Sequence, residues 1–218
     1  LMSEELKLQF SDLPNIGILS TKLPTEMLNI LTREVEKIIS SNFNSHSAYN
    51  QNLLGHMQHE YDLDNCINTV EPFVLYLANA YNKQYNWFND SDANYENDRP
   101  KQLKLTDLWA NIQKKHEFNP PHEHTGIMSF VIWIKIPYKL ADEEAYFPPV
   151  SGNANRTSKF SFHYSNLVGQ HQHYMIDVDK DHEGTIAMFP SKLNHSVNPF
   201  YTSDDYRISI SGNIRLIS

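Results

Sequence analysis

The sequence predicts a mainly β fold, a sandwich or barrel built from the second half of the chain and preceded by two helices. From Lys101 onward, short apolar runs alternate with turns containing Pro and Asn, the signature of strands in series. Before that point, apolar residues recur at three- and four-residue intervals in two segments, which is the period of an amphipathic helix. An antiparallel sheet packed on the two helices satisfies the same pattern, and periodicity alone leaves the two arrangements open.

The first helix is expected within residues 24–42, with Met27, Leu28, Leu31, Val35, Ile38 and Ile39 on one side and Arg33, Glu34, Glu36 and Lys37 opposite. The second is expected over 68–86, where Val70, Val74, Leu77 and Tyr81 share a face and Pro72 falls in the first turn, where a missing N–H costs little. Residues 46–63 show no clear period, and 89–100 read as a surface loop. Strands are expected at 103–113, 127–137, 159–164, 173–178, 184–190 and 206–216. The 139–159 connection is long for a hairpin and reads as a lid or an unstructured insertion.

With 218 residues, 40% of them hydrophobic, the chain suits one domain, residues 1–218, in which 1–100 form helical support and 101–218 the β core. No stretch reaches the roughly 18 to 20 apolar residues of a membrane span, and the N-terminus lacks a basic stretch followed by an apolar one, so a soluble cytoplasmic protein is expected. Cys66 is the single cysteine, which excludes an internal disulfide and a cysteine-based zinc site. A formal charge of −8 without a Lys/Arg cluster argues against nucleic acid as a partner. The 11 histidines exceed what packing requires.

Two of them, His122 and His124, precede the longest apolar run. Alternate residues of an extended strand project to one side, so both imidazoles can reach one metal ion while Glu123 points away. A third ligand is available in His195, between two expected strands. Arg207 follows His195 by twelve residues, and Arg207 and Ser209 share a strand face.

This run of His-x-His, a distal His and then Arg-x-Ser resembles the iron(II)- and 2-oxoglutarate-dependent oxygenases. GTIAMFPSKLNHSVNPF followed by RISISGN is particularly similar to a branch found in bacteria and marine phages whose early motif is His-x-His. The resemblance covers residues 101–217. It implies a double-stranded β-helix, a jelly-roll or cupin-like barrel, with the N-terminal helices packed against it. It also implies that His122, His124 and His195 bind iron(II), which leaves three positions for 2-oxoglutarate and dioxygen. Arg207, assisted by Ser209, takes the distal carboxylate through its planar, permanently charged guanidinium. Asn111 and Tyr164, with Gln113 and Ser129, are further cosubstrate contacts by analogy, and no catalytic residue is implied beyond the metal ligands. The implied reaction hydroxylates an unactivated C–H bond, in a peptide or prolyl side chain by analogy, with release of succinate and carbon dioxide and ascorbate as a stimulant.

His124 departs from the family pattern, which has Asp or Glu there in most members. Three imidazoles supply no anion, so the metal keeps a higher net charge. Two other registers stay open: a halogenase-like His124-Thr125-Gly126, which leaves His122 without a role, and coordination by Glu123 through a bulge. His171 and His173 repeat the spacing but read as surface or core-edge residues, and His163 and His182 as structural or solvated. Asp204 and Asp205 could pair with Arg207 at the surface. Flanking Tyr206, Ile208 and Ile210 instead turn Arg207 inward, where a buried guanidinium calls for an anion. Trp109, Trp133 and Tyr138 read as barrel core. Two other functions fit the same residues: a three-histidine cupin-like dioxygenase without 2-oxoglutarate, and a noncatalytic jelly-roll binding module.

Overall fold

The computed structural model describes residues 9–13, 15–49, 55–90, 102–146 and 155–217; most of the loop expected at 89–100, and 147–154 of the expected lid, lie outside the described residues. In chain order the elements are β1 (Leu19–Lys22), α1 (Thr25–Ser40), β2 (Glu60–Asp62), α2 (Ile67–Tyr85), α3 (Trp87–Asp90), β3 (Gln102–Gln113), β4 (Asn119–His122), β5 (Met128–Lys135), α4 (Leu140–Tyr146), β6 (Phe160–Ser165), β7 (His171–Ile176), β8 (Thr185–Pro190), β9 (His195–Val197) and β10 (Arg207–Ile217). They form two antiparallel sheets, one of six strands in the order β1-β8-β5-β10-β3-β2 and one of four in the order β4-β9-β6-β7.

The larger sheet is buried on both faces, and the two-residue side-chain period sorts each strand accordingly. On β10, Ile208, Ile210 and Ile214 join Leu108, Ala110 and Ile112 of β3, Phe130 and Ile132 of β5 and Ile186 and Met188 of β8 in a core shared with the two long helices. The alternate residues of the same strands, Val131, Trp133, Ala187 and Phe189, pack against Phe160 and Phe162 of the smaller sheet. The sheet therefore rests on helices and also closes a barrel; both arrangements left open by the sequence hold at once.

Helix α1 lays Leu31, Val35 and Ile38 into the first core, each worth about 1.5–3 kcal/mol when fully buried. Glu34, expected on the solvent side, is buried as well. Burial works to raise its pKa, but hydrogen bonds from Lys37 and Asn65 outweigh this and hold the carboxyl below its ordinary value. Helix α2 begins at Ile67, so Pro72 sits in the second turn rather than the first. The first half of the chain is more than helical support: β1 and β2 form the two edges of the larger sheet. Of the expected lid, residues 140–146 form helix α4, clamped by the buried Glu143 carboxylate, which accepts from the backbone N–H groups of Tyr201 and Thr202 and from the Thr202 hydroxyl. No helix among the described residues is long and apolar enough to cross a membrane.

Strand β10 pairs with β5 on one side and β3 on the other, with Gly212 opposite Phe130 and Leu108. A Cβ there would sit 2.8 Å from the Asp107 carbonyl oxygen and 2.5 Å from the Phe130 ring. Gly212→Ala is therefore expected to destabilise the fold by about 1–3 kcal/mol, read as a lower urea midpoint with an unchanged denaturant slope.

Candidate metal centre

Strand β4 consists of Asn119, Pro120, Pro121 and His122. Neither proline can donate to a ladder, and the register slips accordingly: Asn119 pairs with Val197 and His122 with His195, so three steps on β4 match two on β9. Such a bulge bends a strand and re-aims its side chains. It leaves His122 directly across from His195, which is itself paired on its other side with Phe162. His124 follows past the strand end, its N–H donating to the Ser191 carbonyl at 2.9 Å. The chain then turns at Gly126, whose φ of 111° and whose position, with a would-be Cβ 2.7 Å from the Ile214 carbonyl oxygen, admit no side chain without strain.

The three imidazoles converge. One nitrogen from each of His122, His124 and His195 lies within 4.8 Å of the others, with ring centroids 4.4 to 5.0 Å apart. The Nδ1 of His122 is 2.7 Å from the Pro120 carbonyl oxygen and that of His195 is 2.9 Å from the Leu193 carbonyl oxygen. A carbonyl only accepts, so each Nδ1 carries the hydrogen and each Nε2 keeps a free lone pair, the arrangement that orients histidine ligands in metal sites. Burial lowers the pKa of all three: His122 below its ordinary value, His124 to about 4 with help from neighbouring His122, and His195 well below the usual range. All three are neutral near pH 7, the form that ligates. Phe160 stacks on His195, with Phe189 against the same ring and Trp109 edge-on to His124. Glu123 faces outward and pairs with Lys192 at 2.7 Å.

Arg207 is buried in the wall of the cavity that the three histidines also line. Asp204 and Asp205 turn instead to the surface residues Lys115 and Lys135. The Arg207 Nε and Nη2 donate to Gln113 Oε1 at 2.9 and 2.7 Å, Nη1 donates to the Tyr138 hydroxyl at 2.9 Å and the Ser158 carbonyl at 2.7 Å, and Nη2 also donates to the Asn198 carbonyl at 2.6 Å. Five N–H groups thus meet neutral oxygens, and no carboxylate among the described residues compensates the charge. The donor set fits a borderline divalent metal, and the uncompensated guanidinium fits an anion entering beside it.

Asn111 and Ser209 line the same cavity, the Asn111 amide donating to the Ser209 and Ser211 hydroxyls at 3.4 and 3.1 Å. Tyr164, expected beside them, is not there. It is 39% exposed near the end of β6 and lines a separate groove with Tyr174 and Ile16, because β6 carries it past the barrel mouth. Ser129 lies in a buried network with Ser191 and Asn213 rather than in the cavity wall. Tyr138, read as core, also touches Arg207 through its hydroxyl. Outside the site, His163 and His173 meet on the outer face of the smaller sheet with Nδ1 atoms 2.8 Å apart, and His182 takes part in a capping box at Asp179. Two cavity residues had no signal beyond their polarity: Asn119, whose buried Oδ1 has no hydrogen-bond partner among the described residues, and Ser158, whose buried Oγ has none among them either.

A double-stranded β-helix in which three converging histidines and a buried arginine line one cavity can hold a metal ion beside a bound anion. A family model described as "Putative 2OG-Fe(II) oxygenase" matches residues 107–213, and over that segment the chain resembles the 2-oxoglutarate- and iron(II)-dependent oxygenases. It is an enzyme of that class, whose cofactors are iron(II), 2-oxoglutarate and dioxygen. Among solved structures, a prolyl-4-hydroxylase from Pseudomonas putida shares the fold at 12% identity and a TM-score of 0.54, the match covering 93% of this chain and 94% of that one. A prolyl hydroxylase from Trichoplax adhaerens, solved with a hypoxia inducible factor oxygen degradation domain peptide fragment, aligns at 11% identity and a TM-score of 0.48 over 92% and 83% of the two chains. None of the curated proteins matches the chain in sequence.

Glu60 of β2 pairs with Asn111 and is buried on the cavity side of the sheet. Burial, and then the nearby Glu117, push its pKa up to about 7. Its carboxyl is protonated in both folded and unfolded chains below about 4.5; as pH rises, the unfolded chain ionises first, and the fold is penalised progressively until about pH 7. Glu60→Gln is expected to raise stability at pH 8 by up to about 3 kcal/mol and to change it little at pH 4.5, measured by urea unfolding at the two pH values.

Proposed function

We propose that His122, His124 and His195 hold iron(II), that Arg207 and Ser209 hold the distal carboxylate of 2-oxoglutarate, and that the enzyme hydroxylates an unactivated C–H bond with release of succinate and carbon dioxide. The observation that carries this reading is the meeting, in one cavity, of three neutral imidazoles with a buried guanidinium that has no carboxylate partner among the described residues. When bound, iron(II) and 2-oxoglutarate would together supply the electrons that activate dioxygen, which is the oxidant.

The chain's own residues do the rest. The carbonyls of Pro120 and Leu193 fix the tautomer of His122 and His195, so both rings offer Nε2 without rearrangement. Phe160, Phe189 and Trp109 exclude water from the ligand rings. Arg207 exchanges neutral acceptors for a carboxylate, which adds the attraction of opposite charges to hydrogen bonds from a donor that is already charged. Ser209, already within reach of Asn111, presents its hydroxyl on the same strand face. Because His124 stands where a carboxylate is usual, the protein contributes no negative charge to the metal. The substrate class proposed is a peptide or protein side chain, proline first; the solved structure that shares the fold is described as a prolyl-4-hydroxylase. We read the whole chain as one oxygenase domain.

Incubated with iron(II), ascorbate and 2-oxoglutarate, the wild type is expected to release succinate slowly without any primary substrate. His195→Ala should reduce this to background, and His124→Asp should retain or raise it. Arg207→Ala should raise the KM for 2-oxoglutarate about a hundredfold or more. Absence of succinate from the iron-loaded wild type would exclude the reading. Metal removal by a chelator is expected to lower the melting temperature of the wild type and leave that of His195→Ala unchanged, as seen by scanning calorimetry.

A further inference from the structure

Ser158 combines three features that packing alone does not explain. It is fully buried, yet its Oγ has no hydrogen-bond partner among the described residues, an arrangement that costs free energy unless something fills it. Its φ of 62° puts a residue with a Cβ in the left-handed region, a strain that persists where the surroundings over-determine it. It also lines the cavity shared by the three histidines and Arg207, and its carbonyl accepts from Arg207 Nη1 at 2.7 Å and from the Tyr138 hydroxyl at 3.3 Å. The Ser158 N–H donates to the Pro199 carbonyl at 2.8 Å, and the adjacent Lys159 N–H donates to the Arg156 carbonyl, so the loop is tied on both sides. Ser158 is therefore held against the Arg207 guanidinium through its carbonyl, and its hydroxyl, without a hydrogen-bond partner among the described residues, belongs to a residue of the same cavity wall.

We infer that Ser158 is a cosubstrate-binding residue, its hydroxyl donating a hydrogen bond to the distal carboxylate that Arg207 attracts. This rests on the reading of the cavity given above. Arg207 supplies the charge, but its N–H groups already have acceptors, so an entering carboxylate must displace some of them. An unengaged O–H at the same end offers one contact that requires no exchange. The strained φ then serves to set the direction of the Cα–Cβ bond that carries the hydroxyl.

The test is calorimetric titration of the protein loaded with manganese(II), a metal that does not turn over, with 2-oxoglutarate and separately with oxalate. Oxalate offers the metal two oxygens but has no chain to reach Arg207. Ser158→Ala removes the hydroxyl and keeps the strain, whereas Ser158→Gly removes both. Both variants are expected to bind 2-oxoglutarate roughly tenfold to a hundredfold more weakly and oxalate as the wild type does. Unchanged 2-oxoglutarate affinity in both variants overturns the role of Ser158 while leaving the cofactor reading intact. Equal weakening toward both ligands also overturns it, because the serine then supports only the fold around the metal. A wild type that binds oxalate but not 2-oxoglutarate overturns the cosubstrate reading and the serine's role together.

Discussion

Burial of the larger sheet on both faces is the constraint from which the other features descend. A strand covered on one side by helices and on the other by a second sheet must use its two-residue period to satisfy two different environments. Strand β10 meets it with isoleucines toward α1 and α2 and, on the opposite face, Arg207, Ser209, Ser211 and Asn213. The polar face is tolerable only because neighbouring strands supply partners: Gln113 and Asn111 from β3, Ser129 from β5. A core that is wholly apolar on one side can hold such a face rigidly, and rigidity is what a binding constellation needs.

The candidate metal centre depends on the smaller sheet in a different way. Two imidazoles from the paired strands β4 and β9 and one from just past the end of β4 must meet at one point, and regular pairing of β4 with β9 would aim His122 differently. The Pro-Pro step forces the ladder to skip, and the skip places His122 against His195. Gly126, two residues past His124, lets the chain return into β5 where a Cβ would strike the Ile214 carbonyl. Prolines and a glycine that look like loop residues are in this sense part of the centre.

Electrostatics separates the two ends of the cavity. At the histidine end, burial disfavours protonation, leaving neutral donors for a cation. At the arginine end, a permanent charge is surrounded by neutral oxygens. A ligand with a chelating head for the metal and an anionic tail for the guanidinium matches both ends at once, as 2-oxoglutarate does.

The sequence by itself determined the elements with strong periods. Both long helices and the six longer strands lie within a few residues of where apolar spacing puts them, because that spacing reflects burial of one face. The grouping of His122, His124, His195 and Arg207 came from motif spacing, which encodes strand ends brought together by the barrel. Other features were decided only by the tertiary structure. The edge strands β1 and β2 are too short to show a period, and their pairing is specified by the neighbours they complete. Glu34 is buried where Asn65, from another part of the chain, donates to its carboxylate. Tyr164 leaves the site because β6 extends beyond the cavity. Ser158 meets Arg207 through its carbonyl, in a backbone conformation tied by hydrogen bonds to Pro199 and Arg207, which are 41 and 49 positions away in the sequence. Such contacts leave no local pattern, since residue type records what a position tolerates and not which distant group will stand opposite.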